Sequence, residues 1–119
     1  MMNALEAPRA AALDVEVAAA DHLAAALRRS GCTVRRQAVG ASRLLQMEVW
    51  RGTGHLLMRL RAALAPNEPV TLNADEAKAF RLEAQRANAE PWVAYVALGP
   101  EMELRRLDWR PLEERERAG

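Results

Sequence analysis

The sequence contains very few residues of several kinds. Its 119 residues include one cysteine (Cys32), one lysine (Lys78), one tyrosine and one phenylalanine. A single cysteine excludes an internal disulfide framework. The apolar runs are only a few residues long, far below the ~20 that a membrane-spanning helix needs. Residues 1–12 also lack the apolar core of a signal peptide, so we expect a cytoplasmic protein with no membrane-embedded segment.

The chain also lacks a strong excess of charge of either sign. Its 17 basic and 16 acidic residues give a net charge of +1, which by itself does not indicate a nucleic-acid partner. Sixteen of the basic residues are arginine, and together with 25 alanines this pattern is typical of a GC-rich genome. Half of the residues are hydrophobic and 28% are charged, as expected for a folded domain with its own core.

Hydrophobic periodicity predicts an alternation of helices and strands. The first helix is predicted over residues 13–30, with Gly31 as its C-terminal stop. A second helix begins at a capping-box-like pair, Asn73 and Glu76, and ends before Pro91. Strands are predicted at 33–39, 43–50, 55–62, 92–98 and 102–109. The predicted order is therefore αβββαββ, with the second helix connecting two parallel strands.

The second and third strands read as a tight hairpin whose register can be derived on paper. If Gly52 and Thr53 form a two-residue loop, apolar residues face one another across the strands. The predicted apolar pairs are Val49 with Leu56, Met47 with Met58, and Leu45 with Leu60. On the other face the same register places Gln46, Glu48 and Trp50 beside His55, Arg59 and Arg61.

The chain shows no internal repeat and no low-complexity linker. We therefore predict a single domain over residues 13–109. Residues 1–12 contain Pro8 and little periodicity, which predicts a flexible N-terminal arm. Residues 110–119 are predicted to form a charged C-terminal tail, because charges alternate in sign over Glu113 to Arg117.

Three stretches of this pattern resemble a known nuclease fold. They run from Asp21-His22-Leu23 to Ser30-Gly31-Cys32, from Leu45-Gln46-Met47-Glu48 to Leu60-Arg61, and over Glu90-Pro91-Trp92-Val93-Ala94-Tyr95-Val96. Their order and hydrophobicity resemble the restriction-endonuclease-like, PD-(D/E)xK superfamily, in particular small Holliday-junction-resolvase-like proteins. The resemblance implies an α/β fold with a mixed sheet flanked by helices, and a role in DNA repair or recombination.

The catalytic motif of that superfamily is degenerate in this chain. In such nucleases an Asp on the second strand and a Glu-x-Lys on the third hold a divalent metal that activates water. The Asp position falls on Gln46, and the Glu-x-Lys positions fall on Arg59 and Arg61. The resemblance therefore implies no catalytic residue, no metal site and no cofactor. Mg²⁺ enters only if the acids have relocated, for which the candidates are Asp21, Glu48 and Glu83.

Two hypotheses about function follow, from different classes. In the first, an inactive nuclease-like domain binds nucleic acid, with DNA favoured, through an arginine-bearing sheet face. Arginine suits bidentate phosphate contacts, and an exposed tryptophan can stack on bases. The candidate binding residues are Arg35, Arg36, Arg43, Trp50, Arg59 and Arg61.

In the second hypothesis the same fold is a protein-interaction or dimerisation module that does not bind nucleic acid. Its last predicted strand offers an edge for pairing with another chain. Resolvase-like relatives act as dimers, so the resemblance implies a homodimer. A third, less favoured reading is an active nuclease with relocated carboxylates. Clustered, unpaired arginines would favour DNA binding, whereas arginines matched to acids would favour the structural role.

Overall fold

The computed structural model describes residues 6–37 and 46–112. Its elements are α1 (Glu6–Arg29), β1 (Thr33–Gln37), β2 (Gln46–Arg51), β3 (Gly54–Leu64), α2 (Ala74–Arg86), β4 (Glu90–Leu98) and β5 (Leu104–Pro111). This order confirms the predicted αβββαββ arrangement. The fold is α/β, with a mixed five-stranded sheet flanked by helices.

The sheet has the strand order β1-β2-β3-β4-β5. Neighbouring strands are antiparallel except β3 and β4, which are parallel because α2 returns the chain to the same end of the sheet. α1 packs on one face of the sheet and α2 packs on the other. Within residues 6–37 and 46–112, neither helix is long and apolar enough to cross a membrane.

The predicted stop at the end of α1 is a hydrogen-bonded C-cap. Gly31 has a φ of +90°, a left-handed conformation that glycine adopts without a Cβ clash. The N–H of Cys32 donates to the carbonyl of Leu27 at 3.0 Å, and that of Gly31 donates to Arg28 at 3.0 Å. This pair of hydrogen bonds is a Schellman motif, which turns the chain from the helix into β1.

The β2–β3 hairpin has the predicted register. Val49 pairs with Leu56 and Met47 with Met58, on the face that α1 covers. On the opposite face Gln46 pairs with Arg59. The predicted partner of Leu60, Leu45, lies outside the described residues.

One apolar cluster joins α1 to the sheet, and we call it the α1 cluster. Small and branched residues of α1 pack on strand residues with little or no exposed surface. Removing this apolar surface from water is the main source of stability for the domain. Its fully or nearly buried members are Val15, Ala19, Ala20, Leu23, Ala24, Leu27, Met47, Val49, Met58, Leu60, Ala94, Val96 and Leu98.

On the other face of the sheet, α2 is placed by its cap and by one aromatic side chain. The Asn73 side chain accepts from the N–H of Glu76 at 2.8 Å, and the Glu76 carboxylate accepts from the N–H of Asn73 at 2.9 Å. This confirms the predicted capping box. The cap fixes the phase of α2, so that fully buried Phe80 packs near Leu57 and Val93.

The structure corrects the predicted bounds at both ends. α1 begins at Glu6, so most of the predicted 1–12 arm is helical. Pro8 lies in the first turn of the helix, where a backbone N–H would have no intrahelical acceptor, so proline is tolerated there. β5 runs from Leu104 to Pro111 rather than over 102–109, so the tail predicted from residue 110 starts later. Residues 38–45 and 113–119 lie outside the described part of the chain.

Truncating Phe80 tests the packing of α2. We expect Phe80→Ala to lower the free energy of unfolding by about 3–5 kcal/mol, because it leaves a cavity in a closed cluster. The matched control on the same helix is Leu82→Ala, whose side chain is 45% exposed and whose effect we expect within about 0.5 kcal/mol. Urea denaturation followed by tryptophan fluorescence measures both. Equal losses in the two variants would contradict the packing described.

Candidate functional site

Two of the positions predicted to be degenerate, Gln46 and Arg59, lie on the sheet face that α2 covers. Gln46 on β2 and Arg59 on β3 are directly opposite one another, and Glu83 reaches them from α2. The Arg59 Nε donates to the Gln46 side-chain oxygen at 2.8 Å. The Gln46 amide nitrogen and an Arg59 terminal nitrogen each donate to one Glu83 carboxylate oxygen, both at 2.8 Å. The three side chains therefore form a closed hydrogen-bonded triad.

The triad sits in partly buried surroundings. Gln46 is only 1% exposed, and the guanidinium of Arg59 lies over the Phe80 ring at 4.8 Å from its centroid. Both oxygens of Glu83 accept from the other two members of the triad. A charged pair that is hydrogen-bonded in this way is costly to break, because the remaining partner stays partly buried and unpaired.

These residues do not fit a divalent metal. Mg²⁺ needs hard oxygen ligands in near-octahedral geometry, usually carboxylates. Arg59 places a positive guanidinium against Glu83, the nearest carboxylate, and neutralises its charge. Among residues 6–37 and 46–112, no three His, Cys, Asp or Glu side chains come together to hold a metal ion.

A second cluster on the same sheet face surrounds the relocated-acid candidate Glu48. This residue is only 8% exposed, and its carboxylate is bonded to Arg35 from β1 and to His55 from β3. The His55 Nε2 lies 3.0 Å from a Glu48 oxygen. Burial raises the pKa of the Glu48 carboxyl, but the hydrogen bonds and charges of Arg35 and His55 outweigh burial, so its pKa lies below the ordinary value.

Side chains from the neighbouring strands contact the ring of Trp50, the residue predicted to stack on bases. His55 stacks on it with the two planes at 1° and the centroids 5.1 Å apart. The guanidinium of Arg35 lies over the same ring at 5.9 Å. Trp50 therefore takes part in an aromatic and cation–π contact within the protein.

The other candidate arginines also have partners. The Arg61 Nε donates to the carbonyl of Val70 at 2.8 Å, and its NH1 lies 3.8 Å from the Glu76 carboxylate. Arg36 on β1 forms an ion pair with Asp21 on α1. The predicted binding residue Arg43 lies outside the described residues.

The predicted binding residues do not share one surface. Arg35 is opposite Glu48 on the face of α2, whereas Arg36 is opposite Met47 on the face of α1. Successive strand residues point to opposite faces, so the sheet separates these two arginines. Asp21 lies on α1, so the sheet also separates it from the other acid candidates, Glu48 and Glu83.

Sequence reasoning missed three contributors to this site: His55 as a partner of Glu48, Phe80 beneath Arg59, and Glu76 beside Arg61. The spacing of Phe80 and Glu83 along α2 could have predicted that both face the sheet. Phe80 and Glu83 are three residues apart and therefore share one helix face once the capping box fixes the start of the helix.

Lowering the pH tests the ion pairs of Glu48. A carboxyl group whose pKa is lower in the folded than in the unfolded state stabilises the fold at pH values above its unfolded pKa. That stability is lost as the pH falls through the folded pKa. We therefore expect the unfolding free energy of the wild type, relative to that of Glu48→Gln, to decrease as the pH falls below about 5. Urea denaturation at several pH values measures this difference, and a difference independent of pH would contradict the ion pairing.

The chain is similar in fold to a protein of known structure. No protein-family model and no curated protein matches it. A solved structure does: Hjc of Archaeoglobus fulgidus, a Holliday junction resolvase from an archaeal hyperthermophile. The match has a TM-score of 0.52 and 21% sequence identity, and it covers 82% of this chain and 79% of that one. The chain therefore has a nuclease-like α/β fold similar to that of the Hjc resolvase, as the sequence predicted.

Proposed function

We propose that this chain is a nuclease-fold domain that does not cleave phosphodiester bonds and acts as a protein-interaction module. One observation carries the proposal: each described candidate arginine is matched to an acid. The pairs are Arg35 with Glu48, Arg36 with Asp21, Arg59 with Glu83, and Arg61 with Glu76.

The triad argues against metal-dependent hydrolysis at this face. Phosphodiester cleavage by a bound metal needs carboxylates that hold the ion and a site where it activates water. Here Arg59 and Gln46 occupy the motif positions and bond to the nearest carboxylate, Glu83. A cation entering this site would have to displace the guanidinium and leave it unpaired.

The pairing also argues against a phosphate-binding surface at this face. An arginine that is already bonded to a carboxylate must lose that partner, or share it, in order to bind a phosphate. Arg59 and Arg61 are also mostly covered, with 23% and 27% of their side chains exposed. In contrast, the edge strand β5 presents an exposed stretch of backbone, which is the usual docking feature of an interaction module.

DNA binding without cleavage is the second candidate. Two observations favour it: the fold is similar to that of a protein described as a Holliday junction resolvase, and the Arg35 side chain is 68% exposed despite its ion pair. A guanidinium has five N–H donors, so Arg35 could contact a phosphate while it stays paired with Glu48, whose side chain is only 10% exposed. A role in DNA repair or recombination belongs with this candidate.

A DNA binding and cleavage assay tests the proposal. We expect the purified protein to leave duplex, single-stranded and four-way-junction DNA uncut in Mg²⁺ or Mn²⁺. We also expect no binding at moderate salt, because the candidate arginines that the structure describes are each paired with an acid. Fluorescence anisotropy and a denaturing gel on the same samples measure the two outcomes.

Matched variants separate the candidates if binding is seen. Arg35→Ala removes the exposed arginine, and Arg59→Ala is the control for a covered one. Salt-sensitive binding that is lost in Arg35→Ala but kept in Arg59→Ala would favour the DNA-binding candidate and contradict the interaction module. Metal-dependent cleavage would contradict both.

A further inference from the structure

A cavity lies on the sheet face that α1 covers, beyond the C-terminal end of that helix. α1 ends at Arg29 and the chain turns away at Gly31, which leaves this end of the sheet uncovered. The cavity has a volume of about 430 Å³, within the range of small-molecule sites. The sheet separates it from the Gln46–Arg59–Glu83 triad. Its apolar lining consists of Leu27, Leu56, Met58, Trp92 and Trp109.

The apolar part of the cavity is suited to a flat ring. Trp109 pairs with Ala94, and Trp92 precedes Ala94 by two residues, so both indoles lie on the α1 face of neighbouring strands. Both are partly buried and pack against the α1 cluster. Aromatic rings attract one another in offset or edge-to-face contacts, beyond the effect of the area that they bury. A planar aromatic group is therefore the apolar part of a ligand that fits here.

One side chain of each charge lies at the mouth of the cavity. Arg51 at the end of β2 is exposed, and its side chain forms no hydrogen bond or ion pair within residues 6–37 and 46–112. Glu90 at the start of β4 is also exposed, and one of its oxygens accepts from Trp92 Nε1 at 3.1 Å. A carboxylate has about four acceptor sites, so Glu90 accepts a further hydrogen bond without losing Trp92.

The register of the sheet places these two charges on either side of the opening. Arg51 pairs with Gly54 on β3, and Glu90 pairs with Leu56, two residues further along that strand. Both side chains therefore point to the α1 face, and the spacing of strands and residues places their Cα atoms about 12 Å apart. Gly54 has no side chain to fill the space between them. Two long side chains at this separation can both bond to a small polar group held between them.

We propose that this cavity binds a small aromatic zwitterion, of the chemical class of the free aromatic α-amino acids. The ring lies against Trp92 and Trp109, the carboxylate bonds to Arg51 and the ammonium group bonds to Glu90. The assignment adds a ligand site on the face opposite the triad, and it does not depend on the proposed function.

Charge complementarity favours a zwitterion over other aromatic ligands. An aromatic acid without an amino group brings its carboxylate close to Glu90, and an aromatic amine brings its ammonium group close to Arg51. An amino acid that is capped at either end lacks one of the two charges. Because Arg51 and Glu90 are exposed, each charge changes the affinity only several-fold. For a ligand of about 15 non-hydrogen atoms, we expect a dissociation constant of about sub-millimolar order.

Titration of isotope-labelled protein with L-tryptophan tests the site, because each tryptophan side chain gives its own indole N–H signal in the NMR spectrum. We expect the Trp92 and Trp109 signals to shift and to saturate. The Trp50 signal is the internal control, since that ring stacks on His55 on the opposite face and should not shift. Indole-3-propionate lacks the amino group and tryptamine lacks the carboxylate, so each should bind about threefold more weakly or worse.

Variants that remove one charge assign the two ends of the ligand. In Arg51→Gln we expect L-tryptophan and tryptamine to bind alike, because the carboxylate has lost its partner. In Glu90→Gln we expect L-tryptophan and indole-3-propionate to bind alike, while the glutamine oxygen still accepts from Trp92. Arg86→Gln is the matched control, since Arg86 is an exposed arginine on α2, on the other face of the sheet. It should leave all three affinities unchanged.

The absence of a saturable shift at Trp92 and Trp109, or an equal shift at Trp50, would overturn the site. Equal affinity of the wild type for the three ligands would overturn the selection of a zwitterion. Unchanged discrimination in Arg51→Gln and Glu90→Gln would overturn the roles of these two residues. The proposed function fails instead by DNA cleavage or by arginine-dependent DNA binding, so the two failures are distinguishable.

Discussion

The register of the β2–β3 hairpin is the constraint on which the rest of the structure depends. A two-residue loop at Gly52 and Thr53 places Met47 opposite Met58 and Gln46 opposite Arg59. Because successive side chains alternate between faces, a shift by one residue would turn the apolar residues away from α1 and the polar ones into its core. The same register therefore builds the core on one face and the candidate site on the other.

On the candidate-site face, charge is balanced locally. Arg59 is held by Gln46, Glu83 and the ring of Phe80, and Glu48 is held by Arg35 and His55. In a nuclease of this fold the corresponding positions would concentrate negative charge and attract a cation. Here the positive and negative groups satisfy one another, which holds α2 against the sheet through Glu83 and Phe80.

Much of the fold could be predicted from the sequence because its determinants are local. The hairpin follows from a glycine turn between alternating apolar residues, and the start of α2 follows from the Asn73 and Glu76 pair. The start of α1 was missed because Pro8 reads as a helix breaker, although the first turn tolerates it. The edge strand β5 was shifted by two residues because Met102 adopts a φ of +65° and ends the turn later than expected.

The site was predicted less completely, for a physical reason. From the sequence and the resemblance together, Gln46, Arg59 and Arg61 are predicted as degenerate motif positions, and the structure brings Gln46 and Arg59 into contact. The sequence could not show that Glu83 and Phe80 would cover Arg59, since that depends on where α2 crosses the sheet. It also grouped Arg35 with Arg36, which the sheet places on opposite faces.

We infer that the Gln46–Arg59–Glu83 triad leaves no place for a metal ion, and the proposed lack of cleavage depends on this. Titration of isotope-labelled protein with Mn²⁺, followed by paramagnetic broadening of amide signals, tests it most directly. We expect no selective broadening around Gln46, Arg59 and Glu83 at Mn²⁺ concentrations that saturate a metal-dependent nuclease. Selective, saturable broadening centred on those three residues would contradict it.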